Sequence, residues 1–110
     1  MGGHARTITL RVHGTVPVAP LAEPLVIAMG ARAGVDVIAI DELVTALELV
    51  ARATSDDTTR TVTVACDDNS VSVTIEGVDV SRLRGGRSAI DSLVGSVDVG
   101  DNEVLLRVGR

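Results

Sequence analysis

The chain has 110 residues, a formal net charge of −5 and 45% apolar residues, and it contains no Phe, Tyr or Trp. This length allows one domain with one core, which must be built from Val, Leu, Ile and Ala. All ten basic residues are Arg, against fifteen acidic ones, and this balance argues against nonspecific binding to nucleic acid or to an anionic membrane. Without aromatic rings, stacking on bases or on adenine is excluded.

Cysteine and histidine are too few to suggest a disulfide or a metal centre. The single Cys66 has no partner within the chain, and His4 and His13 lie far from it in sequence. His13 is instead expected to face solvent at the end of a strand. There is no signal peptide and no apolar stretch of about twenty residues, so we expect a cytoplasmic protein without a membrane span.

The first part of the chain predicts a tail, a strand and a helix. Residues 1–6 are expected to be flexible, and residues 7–110 to form a single domain. Alternating apolar and polar residues predict a half-buried strand at Thr7–His13. The strand residues expected in the core are Ile8, Leu10 and Val12. After a connection rich in Pro, the pattern predicts a helix at Leu21–Arg32, which ends at Gly34 because glycine suits the left-handed cap position.

The central segment predicts the longest helix of the chain. Apolar residues recur at helical spacing from Val37 to Ala53, and Asp36 is expected to cap the N-terminus. Glu42 and Ala46 are four residues apart, so they lie one above the other on the same side of this helix. The polar side chains expected on another face include Asp41 and Glu48.

The second half of the chain predicts a hairpin followed by a helix and two more strands. Alternating runs flank an Asx-rich turn at 67–70, which is typical of an antiparallel hairpin. The predicted elements are a polar turn at Thr54–Thr59, strands at Arg60–Cys66 and Val71–Glu76, a helix at Ser88–Val94, a strand around Val97 and Val99, and a strand at Glu103–Val108. The order β-α-α-β-β-α-β-β, with the helices set apart from an antiparallel meander, predicts an α+β fold, a two-layer α/β sandwich.

This order, together with a long helix that carries DELVTALELVARA, resembles the GHKL ATPase fold, the fold of the histidine-kinase ATPase domain. The resemblance extends from Thr7 to Val108 and is to the smallest bacterial form, the anti-sigma-factor serine kinase. Such a kinase holds a sigma factor inactive and phosphorylates an antagonist that carries the STAS fold. The resemblance therefore implies a regulatory protein of transcription.

The first motif of that family, E-L-V-T-N-A, lies on the long helix. Its Glu serves as general base, and its Asn coordinates the Mg²⁺ that bridges the nucleotide phosphates. Here Glu42 is retained, but Ala46 stands at the Asn position. The methyl group of Ala46 has no lone pair for Mg²⁺. The resemblance therefore implies that the general base is retained while the ligand of the metal ion is lost. Without the ion, the charge on a transferring phosphoryl group loses its main stabiliser.

The other two motifs of the family, which hold adenine and phosphates, are altered as well. Where the family has D-x-G-x-G, this chain has Glu76 near the Asp position and either Gly77 or Asp79 as a remnant, and the glycine pair is absent. The stretch 80–85 replaces the ATP lid, and Gly85 and Gly86 retain part of the glycine-rich motif that faces the phosphates. The arginines in this region, which either neutralise a phosphate or form a solvated basic edge, are Arg82, Arg84 and Arg87.

We therefore expect a non-catalytic, anti-sigma-factor-like protein that needs no cofactor and contacts a sigma factor, an STAS-type antagonist or both. The side chains expected to bind the partner are Leu25, Met29 and Arg32 on the first helix and Asp41 and Glu48 on the long helix. Relatives of this size often form homodimers. The main alternative is a divergent serine/threonine kinase that uses ATP and Mg²⁺, with Glu42 as base and Glu76 at adenine. A third reading is a structural or dimerisation domain from another α+β family.

Overall fold

A five-stranded antiparallel sheet and three α-helices make up the computed structural model, which describes residues 5–54 and 59–109. The elements are β1 (Arg6–Val12), α1 (Ala19–Arg32), α2 (Val37–Ala51), β2 (Arg60–Asp67), β3 (Ser70–Glu76), a short 3-10 helix (Val80–Leu83), α3 (Arg87–Leu93), β4 (Ser96–Val99) and β5 (Glu103–Gly109). The strands follow the spatial order β1-β2-β3-β5-β4, and every neighbouring pair is antiparallel. The α+β class and the order of strands and helices predicted from the sequence are confirmed. The centre of the turn predicted at 54–59 lies outside the described residues.

The sheet has one apolar face, which the helices cover, and one polar face. Inward residues alternate along β2, where Val62 and Val64 are fully buried, and along β3, where Val73 and Ile75 are fully buried. The opposite face carries Thr and Ser side chains that are only half-buried, as the alternation predicts. The core therefore lies between this sheet and α1, α2 and α3.

The join between α1 and α2 is fixed by backbone geometry. Gly34 has φ +81° directly after the end of α1, so the predicted left-handed cap is confirmed. Asn69, in the turn of the β2–β3 hairpin, also has a positive φ of 66°, and its N–H donates to the carbonyl of Ala33 at 2.9 Å. Asp36 caps α2 as predicted, because its carboxylate accepts from the N–H of Ile38 at 3.1 Å.

The two long helices approach each other closely at Gly30. The sequence indicates only that glycine weakens α1. In the structure Gly30 is buried, and a Cβ at this position would lie 2.9 Å from Cγ1 of Ile40 and 3.3 Å from Cγ1 of Val71. The absence of a side chain is therefore what lets α1 pack against both α2 and the sheet.

Two burial predictions are wrong: Val37, expected in the buried stripe of the long helix, is 67% exposed at the first position of α2, and the other concerns β1. Ile8 is 39% exposed and Leu10 is only half-buried, whereas Val12 is buried as expected. The reason is that β1 lies at the edge of the sheet while α1 packs over β2 and β3. Among residues 5–54 and 59–109, no helix combines the length and the apolar character that a bilayer span requires.

Candidate functional site

The residues of the first predicted motif lie on the side of α2 that faces the core. Ala46 has no exposed surface, and neither has Leu47 in the next position. Ile90 of α3 is buried in the same core, and α3 packs against α2. Glu42 is half-buried, and neither Glu42 nor Ala46 lines any of the four cavities described below. Packed side chains therefore surround Ala46, the position at which the resemblance implied a metal-binding amide.

The second predicted site, at Glu76 and Gly77, is a shallow depression of about 370 Å³ at the end of β3. Glu76 is exposed and faces Glu103 across the β3–β5 ladder. Gly77 has φ +90°, and the N–H groups of Gly77 and Val78 both donate to the carbonyl of Asn102 at 2.9 Å. These amides are therefore already occupied within the protein.

The third predicted site, Gly85 and Gly86, lies between the 3-10 helix and α3. The N–H of Gly86 donates to the carbonyl of Leu83 at 2.9 Å. Neither glycine lines the neighbouring depression of about 410 Å³, to which Arg84 and Arg87 contribute. Arg87 is paired with Asp91 at 3.1 Å.

The three predicted segments thus do not share a cavity. No protein-family model matches the chain, and no curated protein shows significant similarity to it. Within the part of the chain that the structure describes, no cluster of three or more His, Cys, Asp or Glu side chains could hold a metal ion. A functional site has to be sought in the remaining surface.

The largest of the four cavities, about 650 Å³, is a groove between α1 and the edge strand, which we call the α1–β1 groove. Three of the predicted partner-binding residues, Leu25, Met29 and Arg32, line it together. Its apolar wall consists of Ile8, Leu25, Ala28, Met29, Ala33 and Cys66, and the charged groups at its rim are Arg6, Arg32, Asp67 and Asp68. The groove exists because α1 does not cover β1, which is also why Ile8 is exposed.

The outer face of α1 continues this apolar surface. Over its whole length α1 carries only two charged residues, Glu23 and Arg32. A helix that is apolar on all sides is normally buried, yet Leu21 is 45% and Ile27 is 50% exposed. Exposure of these two residues was not predicted from the sequence. The near absence of charge between Leu21 and Arg32 could have indicated an exposed apolar surface on this helix.

The two predicted partner-binding residues of α2 lie apart from the α1–β1 groove. Asp41 is exposed, and its backbone carbonyl accepts from the Thr45 hydroxyl at 3.0 Å. Glu48 lines a different cavity and contacts Glu23 of α1. A hydrogen bond to Glu48, partial burial and the repulsion between the two carboxylates raise the pKa of Glu23 above its ordinary value of 4.5.

Arg60 is a second feature that the sequence analysis missed. It is buried at the start of β2, and its Nη2 donates to the carbonyls of Gly14 and Val16, the latter at 2.8 Å. These bonds fix the connection that leads into α1. The alternation along β2 could have predicted this burial. Arg60 lies on the same face of the strand as Val62 and Val64, because side chains two residues apart point the same way, and it must therefore face inward.

Proposed function

We propose that this domain is a non-catalytic regulatory protein of the anti-sigma-factor type, built on a minimal GHKL-like fold, which binds a sigma factor or an STAS-type antagonist. The order of strands and helices and the motif around Glu42 support the likeness to that fold. Complete burial of Ala46 favours binding over catalysis, and so does the position of Glu76 and Gly77 in a depression that neither Glu42 nor Gly86 lines. Holding a partner requires a shaped surface and no Mg²⁺.

The observation that carries this proposal is the apolar surface of α1. Leu21 and Ile27 are exposed on a helix that has almost no charge, and the α1–β1 groove is lined by apolar side chains together with exposed charged ones. Contiguous apolar surface with a polar border is typical of a protein-binding site, because burial of apolar area drives association while the rim excludes water. The net charge of −5 favours a basic partner.

Capture of partners from the host cytoplasm tests the proposal. The tagged domain should retain sigma factors or STAS proteins, identified by mass spectrometry. The double variant Leu21→Ser/Ile27→Ser should lose this capture, since truncating apolar side chains at the centre of an interface typically weakens binding about tenfold or more. Both residues are half exposed, so the variant should still fold.

A matched control uses the exposed apolar pair at the start of α2. Val37 and Ile38 are 67% and 65% exposed and lie outside the α1–β1 groove, so Val37→Ser/Ile38→Ser should leave capture unchanged. Equal losses in both double variants would indicate nonspecific adhesion and contradict the proposal. Calorimetric titration with Mg-ATP addresses the kinase alternative: micromolar affinity that is abolished by Glu76→Ala would favour an enzyme.

A further inference from the structure

A cleft at the opposite end of α1 from Arg32 gathers basic side chains from three parts of the chain. The cleft has a volume of about 510 Å³ and lies between the β1–α1 connection, the end of α2 and the start of β2. Arg52, Arg60 and Arg82 all contribute to its wall, and we call it the arginine cleft. Glu42, Glu76, Gly85 and Gly86 do not line it, and Arg82 is its one contribution from the stretch 80–85 that was predicted to replace the ATP lid.

The most unusual group in this wall is the guanidinium of Arg60. The residue is 2% exposed, and its Nη2 is held by the carbonyls of Gly14 and Val16. Its Nε is buried and has no hydrogen-bond partner within residues 5–54 and 59–109. The Nε itself has no surface that a ligand in the cleft could contact, so Arg60 acts on the cleft through its positive charge.

The charge of the cleft is opposite in sign to that of the protein. Among residues 5–54 and 59–109, three arginines line it against one carboxylate, that of Glu48, although the whole chain carries −5. Arg82 has an exposed ion pair with Asp79 at 3.5 Å, whereas Arg52 forms no ion pair with any other described residue. A positive cavity on an acidic protein attracts small anions selectively, since most of the remaining surface repels them.

Two further features of the wall suit an anion. The 14-residue helix α1 begins here without a side-chain cap at Val18, so the positive end of its dipole lies at the cleft, although Pro20 has no N–H and the N–H of Leu21 donates to the carbonyl of Val18 at 3.2 Å. The C-terminus of α2, whose negative dipole end would repel an anion, also lies at the cleft. One of its carbonyl groups is already bonded, because the carbonyl of Ala51 accepts from the hydroxyl of Thr54 at 2.7 Å and from the N–H of Thr54 at 3.1 Å. Thr15 adds a hydroxyl to the same wall.

We propose that the arginine cleft binds a phosphate group, either free or esterified. Guanidinium groups match the oxygens of phosphate with paired, charge-assisted hydrogen bonds. Arg52 and Arg82, which are exposed, supply the direct contacts, and the buried Arg60 adds positive charge to the wall. This assignment is independent of the proposed partner-binding surface, which lies in the α1–β1 groove and on the outer face of α1.

The test is a titration of the ¹⁵N-labelled domain with inorganic phosphate at constant ionic strength, followed by backbone amide shifts. We expect saturable shifts at residues 15–19 and 51–54. Arg52→Gln should weaken binding at least about tenfold, because it removes a charged hydrogen-bond donor from the ligand. Arg52 is exposed and makes no described ion pair, so the variant should fold like the parent.

Arg107→Gln is the matched control, since it removes the same charge beside Asp67, at the other end of β2 from Arg60, roughly 20 Å away for a strand of this length. It should leave phosphate affinity unchanged. Shifts that never saturate, equal weakening by Arg107→Gln, or equal binding of acetate would each overturn the assignment. The last result would show that any small anion suffices.

A second titration distinguishes free phosphate from a phosphate ester as the ligand. A phosphoserine peptide that shifts the same amides more tightly than inorganic phosphate would identify an esterified ligand, whereas equal or weaker binding of the peptide would identify free phosphate. Binding of the unphosphorylated peptide with the same affinity would overturn the proposal. Partner capture through α1 should survive Arg52→Gln, so failure of one proposal does not imply failure of the other.

Discussion

Replacing Ala46 by Asn restores the residue that the resembled kinases use to hold Mg²⁺, and we expect it to damage the protein instead of activating it. Ala46 has no exposed surface and lies in the middle of the inner face of α2. Asn adds a carboxamide to a filled space, which costs about 1–3 kcal/mol for overpacking. The buried amide has no evident partner there and costs about 1–3 kcal/mol more.

The free energy of unfolding should therefore fall by roughly 2–6 kcal/mol, which is a large share of the stability of a small domain. The assay is urea unfolding followed by far-ultraviolet circular dichroism, because the chain has no aromatic residue to serve as a fluorescent probe. Thr45→Asn is the matched control. Thr45 is the exposed neighbour of Ala46, so Asn at this position should cost less than about 1 kcal/mol.

Phosphotransfer from ATP is the second readout for Ala46→Asn, and we expect none. Burial of the side chain keeps it away from any nucleotide, and the depressions at Glu76 and beside Arg87 lie elsewhere. Two results would refute this reasoning. Stability equal to that of Thr45→Asn would show that the site has room for the amide, and measurable phosphotransfer would show that a cleft opens beside α2.

Three further substitutions test the packing and the electrostatics. Gly30→Ala should lower stability by about 1–2 kcal/mol in urea unfolding despite its better helix propensity, because its Cβ would lie 2.9 Å from Ile40; a gain would show that α1 and α2 can separate freely. Gly34→Ala should cost about 1–2 kcal/mol in the same assay, since φ is +81° there, and an unchanged midpoint would contradict the cap geometry. Glu48→Gln should raise stability at pH 7 by about 0.2–0.5 kcal/mol by removing repulsion with Glu23. Because the pKa of Glu23 is raised on folding, the native state binds the extra proton, so this pair favours folding below pH 4.5 and the advantage is lost as pH rises through the folded pKa. Urea midpoints at pH 4 and pH 7 should therefore differ less in Glu48→Gln than in the parent, and an equal difference would argue against the contact.

Local patterns were sufficient to predict the strands and helices of this fold. Alternating apolar and polar residues predicted β2 and β3, and helical spacing predicted α2. Asp36 marked the start of α2, and Gly34 marked the end of α1. These signals act within a few residues, so no knowledge of the tertiary structure was needed.

Features that depend on distant segments were not predictable in the same way. Exposure of Ile8 follows from the place of β1 at the sheet edge, which is set by strand order. The role of Gly30 depends on Ile40 and Val71, which meet it only in the folded chain. The arginine cleft likewise combines Arg60 with Arg52 and Arg82, which lie in other elements of the fold, so no motif in the linear sequence predicts it.

The strand β2 holds α1 at both ends, and this has a consequence for recognition. Arg60 at its start bonds to the connection before the helix, and Asn69, just beyond its end, bonds to Ala33 after the helix. A helix held at both ends in this way keeps its orientation with or without a bound partner. Binding a partner therefore costs little free energy for ordering α1. Amide hydrogen exchange in the unbound domain should then be as slow in the interior of α1 as in β2.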